Sequence, residues 1–394
     1  MMARKEFNAM DELVEAAVET VNARLSADPN LLGLRHEWRK LYFPGVNSEQ
    51  AAWRAKRRCS FPGCNATTVK SHVLQRTGPI KFISENNHVM APNFDAKKGG
   101  GVRSVGWNDA SVFPGFCGHH DTNLFKTFET RGGVATDEDL SLQVYRSYQR
   151  ELLALKHGVE KQPELFKEIC EINQNFLRTQ ILREIGLDNI MKFPHILKYK
   201  FSGGDWNSGE ISEFFALRQE TYKAVARIQH HMSEFIASPG ASIKGVCVLG
   251  YDIPVSIPVA FSGVGLYYTG LVEDAKVLPV RRAHALFMIC IPGVASTKIV
   301  VFGAGDEARE LETFLNHKGV TLCCDSNKKR LALLDFVEQF MVGSTDHWFM
   351  RPSVWQALDE KTKGMLEGSM GEFQDSLMDQ WMTPIFAKLR HELT

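Results

Sequence analysis

Apolar residues recur at helical spacing over residues 9–25: Leu13, Ala16, Ala17, Val21 and Leu25 mark one face, and Asp11, Glu12 and Glu15 favour the N-terminal end. A second helical stretch, about 31–41, stops at Phe43-Pro44-Gly45, and a third begins at Ser48 as its N-cap. From Cys59 the pattern shortens. Residues 69–74 read as a strand, Thr77-Gly78-Pro79 breaks it, 80–84 is a short element, and His88-Val89-Met90 is a second strand. Within 93–111, Lys97-Lys98-Gly99-Gly100-Gly101 reads as a flexible loop with positive charge, and His119 to Glu129 reads as a helix. Beyond Gly132-Gly133 the helical period returns over 140–155, 164–185 and 210–236, with breaks at Pro163, Pro194 and Gly203-Gly204.

After residue 243 the period changes again. Runs rich in Val, Ile and Phe at 243–249, 255–261, 285–291 and 299–302 predict strands, and 307–316, 328–341 and much of 353–390 predict helices. The pattern is α+β, with a sheet of about four strands in this last part. Four consecutive segments are expected: a helical N-terminus over 1–55, a compact module over 56–135, a helical region over 136–240 and an α+β domain over 241–394. Phe302-Gly303-Ala304-Gly305-Asp306 follows a strand but lacks the third glycine of a dinucleotide loop, so it reads as a turn into a helix.

Composition narrows the function only a little. Lys+Arg and Asp+Glu both total 46 in 394 residues, so any nucleic-acid surface must be local. One such cluster, Arg54, Lys56, Arg57 and Arg58, stands directly before Cys59. The N-terminus lacks the apolar core of a signal peptide and no segment is apolar enough to span a bilayer, so a cytoplasmic protein with no membrane partner is expected. Eight cysteines in that compartment favour metal ligation or buried thiols over disulfides. Cys170, Cys247 and Cys290 sit among apolar residues and read as core, and the adjacent Cys323-Cys324 pair reads as structural.

The chemistry concentrates between Cys59 and Glu129. Cys59-Ser60-Phe61-Pro62-Gly63-Cys64 places two thiols around a tight turn, and Cys117-Gly118-His119-His120 adds a thiol and imidazoles at helix-turn spacing. This is how chains build a tetrahedral zinc site. Cys59, Cys64, Cys117 and His120 are the expected ligands of a structural Zn2+; His119 stays open as the fourth. His230-His231 reads as a polar helix face.

Knuckle, strand, strand and helix describe a treble clef, and with His72 in Lys70-Ser71-His72-Val73 the stretch resembles the zinc-stapled HNH nuclease family, the ββα-metal fold. The resemblance covers about seventy residues. It implies that His72 is the catalytic base, that Asp121, with His119, holds a catalytic Mg2+ or Mn2+, and that Asn108 (or Asn93) is the loop asparagine. Arg54, Lys56, Arg57, Arg58 and Lys70 would then contact phosphates. Ser71 departs from the pattern, since a carboxylate or imidazole is expected there.

The function this implies is metal-dependent hydrolysis of nucleic-acid phosphodiesters, with DNA the expected substrate. A small nuclease module joined to a larger domain is similar to effectors of anti-phage or mobile-element systems. The competing expectation is a non-catalytic zinc module that binds nucleic acid or a protein partner. In that case His72 is a zinc ligand or a buried hydrogen-bonding histidine, and Asp121 a carboxylate stabilising a helix N-terminus. Self-association through the helical region, or a protein partner, is expected on either reading.

Overall fold

The computed structural model describes residues 2–27, 53, 55–95, 99–198, 208–269, 282–321, 326–368 and 385–393. The helices expected at 31–41 and from Ser48, the residues Arg54, Lys97 and Lys98, and the Cys323-Cys324 pair lie outside them. In chain order the first elements are α1 (Met2–Ala27), β1 (Ser71–His72), β2 (His88–Asp95), β3 (Gly99–Gly106) and β4 (Val112–Phe113). Then come α2 (Gly118–Arg131), α3 (Asp137–Ile185), α4 (Leu187–Lys192), α5 (Ser208–Ala226) and α6 (Gln229–Ala237). The last part holds β5 (Val246–Ile253), β6 (Val259–Thr269), β7 (Arg282–Pro292), β8 (Thr297–Ala304), α7 (Ala308–His317), α8 (Asn327–Ser344) and β9 (Trp348–Met350). Three short helices follow: α9 (Pro352–Ala357), α10 (Glu360–Gly368) and α11 (Ala387–Leu393). Among the described residues, no helix is long and apolar enough to cross a membrane.

The chain divides into two compact units, Met1–Ala52 with Glu160–Phe215, and Trp53–Val159 with Ala216–Thr394. In the first, Met10, Val14, Ala17 and Val21 of α1 bury a stripe that clusters with Ile181 and Ile185 of α3 and with Ile196. Ala17 and Val21 are buried as the apolar pattern expects, but the stripe runs through Met10 and Val14, leaving Leu13 partly buried and Ala16 exposed. Arg24 pairs with Glu184 at 2.7 Å on the rim.

The second unit is built on one antiparallel sheet of order β3-β2-β9-β6-β7-β8-β5. β7 explains its middle: after Arg282 every residue to Pro292 is buried. Phe287 and Ile289 face one core, together with Tyr145, Tyr148 and Leu152 of α3 and Phe235 of α6. Leu286, Met288 and Cys290 face the other, with Phe336, Val337 and Phe340 of α8. A strand covered on both faces reads as an unbroken apolar run, which is the pattern in 285–291.

The sheet has seven strands rather than about four. One addition is β9, only three residues long, which bridges Met90 of β2 and Val259 of β6 at Met350. The others are β2 and β3, paired in register from His88 opposite Gly106 to Asp95 opposite Gly99. Gly99-Gly100-Gly101, read as part of a flexible loop, is therefore the start of a hairpin strand. Strands from the 56–135 stretch and from the 241–394 stretch share this sheet.

The ββα order around the cysteines is β1, β4 and α2. Ser71 pairs with Phe113 and His72 with Val112, and the 85–106 hairpin is an excursion from this small pair to the large sheet. α3 runs unbroken through Pro163, where two helices were expected. The Phe302–Asp306 stretch leaves β8 through a single 3-10 turn, Gly305–Glu307, into α7, as a turn into a helix should.

Candidate metal centre

Local backbone bonds fix the first two cysteines. The amide of Cys59 donates to the carbonyl of Ala66 at 2.9 Å and that of Cys64 to Phe61 at 3.1 Å. Gly63 turns the chain between them at φ +76°, a conformation glycine adopts without steric cost. The knuckle is stitched to the third cysteine by Ser60 N–H to Gly115 O at 2.9 Å and Val69 N–H to Phe116 O at 2.7 Å. Cys117 is then the N-cap of α2, with extended backbone at ψ 162°. His120 lies one helical turn on.

Cys59, Cys64, Cys117 and His120 converge, with all four donor atoms within 4.8 Å of one another. His120 Nδ1 is 3.5 Å from Cys59 Sγ and 3.3 Å from Cys117 Sγ, and Cys64 Sγ is 4.0 Å from Cys117 Sγ. A tetrahedral zinc, with Zn–S near 2.3 Å and Zn–N near 2.0 Å, spaces its ligands about 3.5–3.8 Å apart. The donor set therefore fits the ion in both size and softness. The surroundings orient the ligands: Phe61 stacks on His120 with centroids 3.9 Å apart, and the Cys117 amide donates to Cys59 Sγ at 3.3 Å. Burial pushes the Cys59 thiol up to about 11. Burial also opposes the Cys117 thiolate, but the His120 backbone N–H, the neighbouring thiols and the His119 N–H together bring it below its usual range. Of the two histidines left open by spacing, His119 is exposed and bonded to Asn123 at 3.1 Å instead.

Ser71 is fully buried, and its hydroxyl accepts the amide of Phe116 at 3.2 Å. A residue that departs from the nuclease pattern thus holds the loop carrying Cys117 in place. Beside it on β1, His72 is half-buried and its Nε2–H donates to the carbonyl of Asn108 at 3.2 Å. In the neutral ring that bond places the proton on Nε2 and leaves the lone pair on Nδ1. Burial, then the positive charge of Arg146, holds the His72 pKa below its ordinary value; Arg76 adds to this, while the Asn108 carbonyl and Glu129 oppose it.

Asp121 is where sequence reasoning missed a partner. Its Oδ1 accepts from Arg146 Nη2 at 3.3 Å, and the same nitrogen donates to Glu129 Oε1 at 2.7 Å. Arg146 comes from α3, its side chain is 0% exposed, and its guanidinium lies 4.2 Å over the ring of Phe125. The available signal was that Arg146 continues the Leu142–Tyr145–Gln149 side of α3, a charge where the helical period calls for core.

The expected phosphate contacts are uneven. Lys56 and Arg58 are exposed, and Lys70 is paired with Asp109 at 3.1 Å. Arg57 is turned onto Trp53, 5.1 Å above its ring and donating to its carbonyl at 3.1 Å. Arg76 donates to the Asn108 side chain at 3.1 Å, at the turn that also anchors His72. Among the described residues no other metal-holding group of His, Cys, Asp or Glu occurs, and His230 pairs with Glu234 at 3.1 Å. Asn93 lies on β2, opposite Gly101. Cys290 is a core residue, as expected.

No known protein family, curated protein or solved structure matches this chain. Its geometry alone defines it: a Cys3His cluster at a strand–helix boundary in a generic zinc-binding ββα-type module.

Proposed function

We propose that the chain is a zinc-stapled binding protein in which residues 56–135 form a non-catalytic module for nucleic acid. The observation that carries this reading is the closed ligand set: Cys59, Cys64, Cys117 and His120 supply four donors, which saturates a tetrahedral ion and leaves no position for substrate or water. When bound there, zinc supplies a cross-link between the knuckle and α2. The exposed cations Lys56, Arg58, Lys70 and Arg76 supply the charge that phosphates would meet. The test is fluorescence anisotropy of zinc-loaded protein with labelled single- and double-stranded DNA and RNA at stepped salt. Affinity that falls linearly on log–log axes with salt supports the reading. Absence of binding at about 50 mM salt rejects it and turns attention to a protein partner.

A second reading, phosphodiester hydrolysis with His72 as general base, is favoured by the bond that orients His72. An imidazole held neutral, with Nε2 anchored on Asn108 and Nδ1 free to take a proton, has the form of a base. A plasmid-nicking assay of wild type against His72→Ala separates the two. Cleavage lost in the variant, with zinc content unchanged, establishes hydrolysis.

A further inference from the structure

We propose that Arg146 is the resident cation of the centre beside His72, standing where a nuclease-type Mg2+ or Mn2+ would be held, so that this centre takes no divalent metal. The inference extends the binding-module reading, which it needs only in treating the zinc as structural. It parts from the metal site that a nuclease resemblance implies, because the residues present do not fit that ion.

The geometry is specific. Asp121 and Glu129 stand at the two ends of α2, yet one carboxylate oxygen from each converges on the same nitrogen, Arg146 Nη2, at 3.3 and 2.7 Å. Mg2+ is commonly bound through one or two carboxylates with water completing the shell, so this pair is the kind that recruits it. A guanidinium already lies between them. It is held from the other side by Phe125, at 4.2 Å, and Phe128, at 5.7 Å, and it is closed off from solvent. A divalent ion would have to share the space with a fixed positive charge in a low-dielectric setting, where like-charge repulsion is strongest. The same charge acts on His72, which lies within its field.

Stability alone is a poor account of Arg146. Its Nε and Nη1 atoms are buried and find no hydrogen-bond partner among the described residues. An ion triad with three of the cation's five N–H donors unused is stabilising only weakly, if at all, compared with apolar side chains at all three positions. Filling a cation position accounts for the charge, the convergence of the two acids and the aromatic backing together.

The test is a Mn2+ titration of the zinc-loaded full-length chain, with bound ion read from loss of the free-ion EPR signal. Wild type should take up no Mn2+ below about 1 mM, whereas Arg146→Met should take up about one ion, at least tenfold tighter, and lose it again when Glu129→Gln is added. Arg146→Gln repeats the measurement if the methionine variant does not fold. A stoichiometric Mn2+ site in wild type that Asp121→Asn abolishes overturns the proposal. A folded Arg146→Met or Arg146→Gln protein that gains no site does so too. Zinc content, measured on the same samples, reports separately on the module: loss of zinc from wild type would fail that reading without touching the Mn2+ result.

Discussion

His120 and Asp121 are neighbours on one helix, and they belong to opposite kinds of site. His120 joins Cys59, Cys64 and Cys117 in a set of four donor atoms that could hold a metal ion. Asp121 joins Glu129 around the guanidinium of Arg146, so its charge is already compensated from within. Residue types alone do not distinguish the two sets, since both are chemically competent ligands. What separates them is whether a buried counter-charge arrives from elsewhere in the chain. Here it arrives from α3, which packs on the module and takes Gln143 to the carbonyl of Val73 at 3.0 Å.

The largest effect should come from emptying the first site. Cys117→Ser removes a ligand that is also the cap of α2, and structural zinc contributes on the order of 10 kcal/mol of folding free energy to small modules. That is comparable with the whole stability margin of a domain, about 5–15 kcal/mol. Elemental analysis should fall from one zinc per chain to a small fraction, and near-UV circular dichroism should report loss of packing around Phe116 and Phe125. His120→Ala should behave alike, while His119→Ala keeps its zinc. The reverse order for the two histidines would remove His120 Nδ1 from the ligand set.

An intermediate effect is expected at the second site. Replacing Arg146 by Met breaks two ion pairs whose carboxylates are partly solvated, so about 2–4 kcal/mol is the expected cost, below that of stranding a fully buried charge. The variant also tests the electrostatic link to His72. The folded His72 pKa lies below the ordinary 6.5, so its contribution to stability is full above about pH 6.5 and is lost as pH falls through the folded value. Removing the Arg146 charge should move the His72 titration upward, towards 6.5, while the part due to burial stays. Proton NMR of the imidazole C–H against pH measures it. A His72 titration unchanged in the variant would mean that Arg146 and His72 are not one electrostatic unit.

The first of these sites was legible in the sequence and the second was not, for physical reasons. Thiol and imidazole spacing is a local signal: Cys59 with Cys64, and Cys117 with His120, are each set by one turn of chain. Choosing between His119 and His120 was beyond it, because adjacent helical positions differ by about 100° and only packing decides which faces the knuckle. Arg146 reaches Asp121 from another helix, and no local pattern announces an ion pair formed by tertiary packing. The sheet divides in the same way. β7 and β8 were plain from their unbroken Val, Ile and Phe runs. β3 begins with Gly99-Gly100-Gly101, which carries no strand propensity and becomes a strand through its pairing with β2. β9 has three residues, too few for any period to show.

The smallest effect on stability should lie at the module surface, and it sharpens the contrast between buried and solvated charge. Lys70 and Asp109 pair at 3.1 Å with side chains 77% and 68% exposed. Water screens such a pair, so Lys70→Ala should change unfolding free energy by no more than about 0.5 kcal/mol, well below the cost at Arg146. Nucleic-acid binding, if the module has it, should respond differently. Losing one phosphate-contacting cation lowers the slope of log affinity against log salt by about 1, and it weakens binding similarly across sequences. A Lys70→Ala protein with unchanged stability and a reduced salt slope places this face against the phosphates. Equal slopes for variant and wild type would confine Lys70 to its pair with Asp109 and move the binding surface towards Lys56 and Arg58.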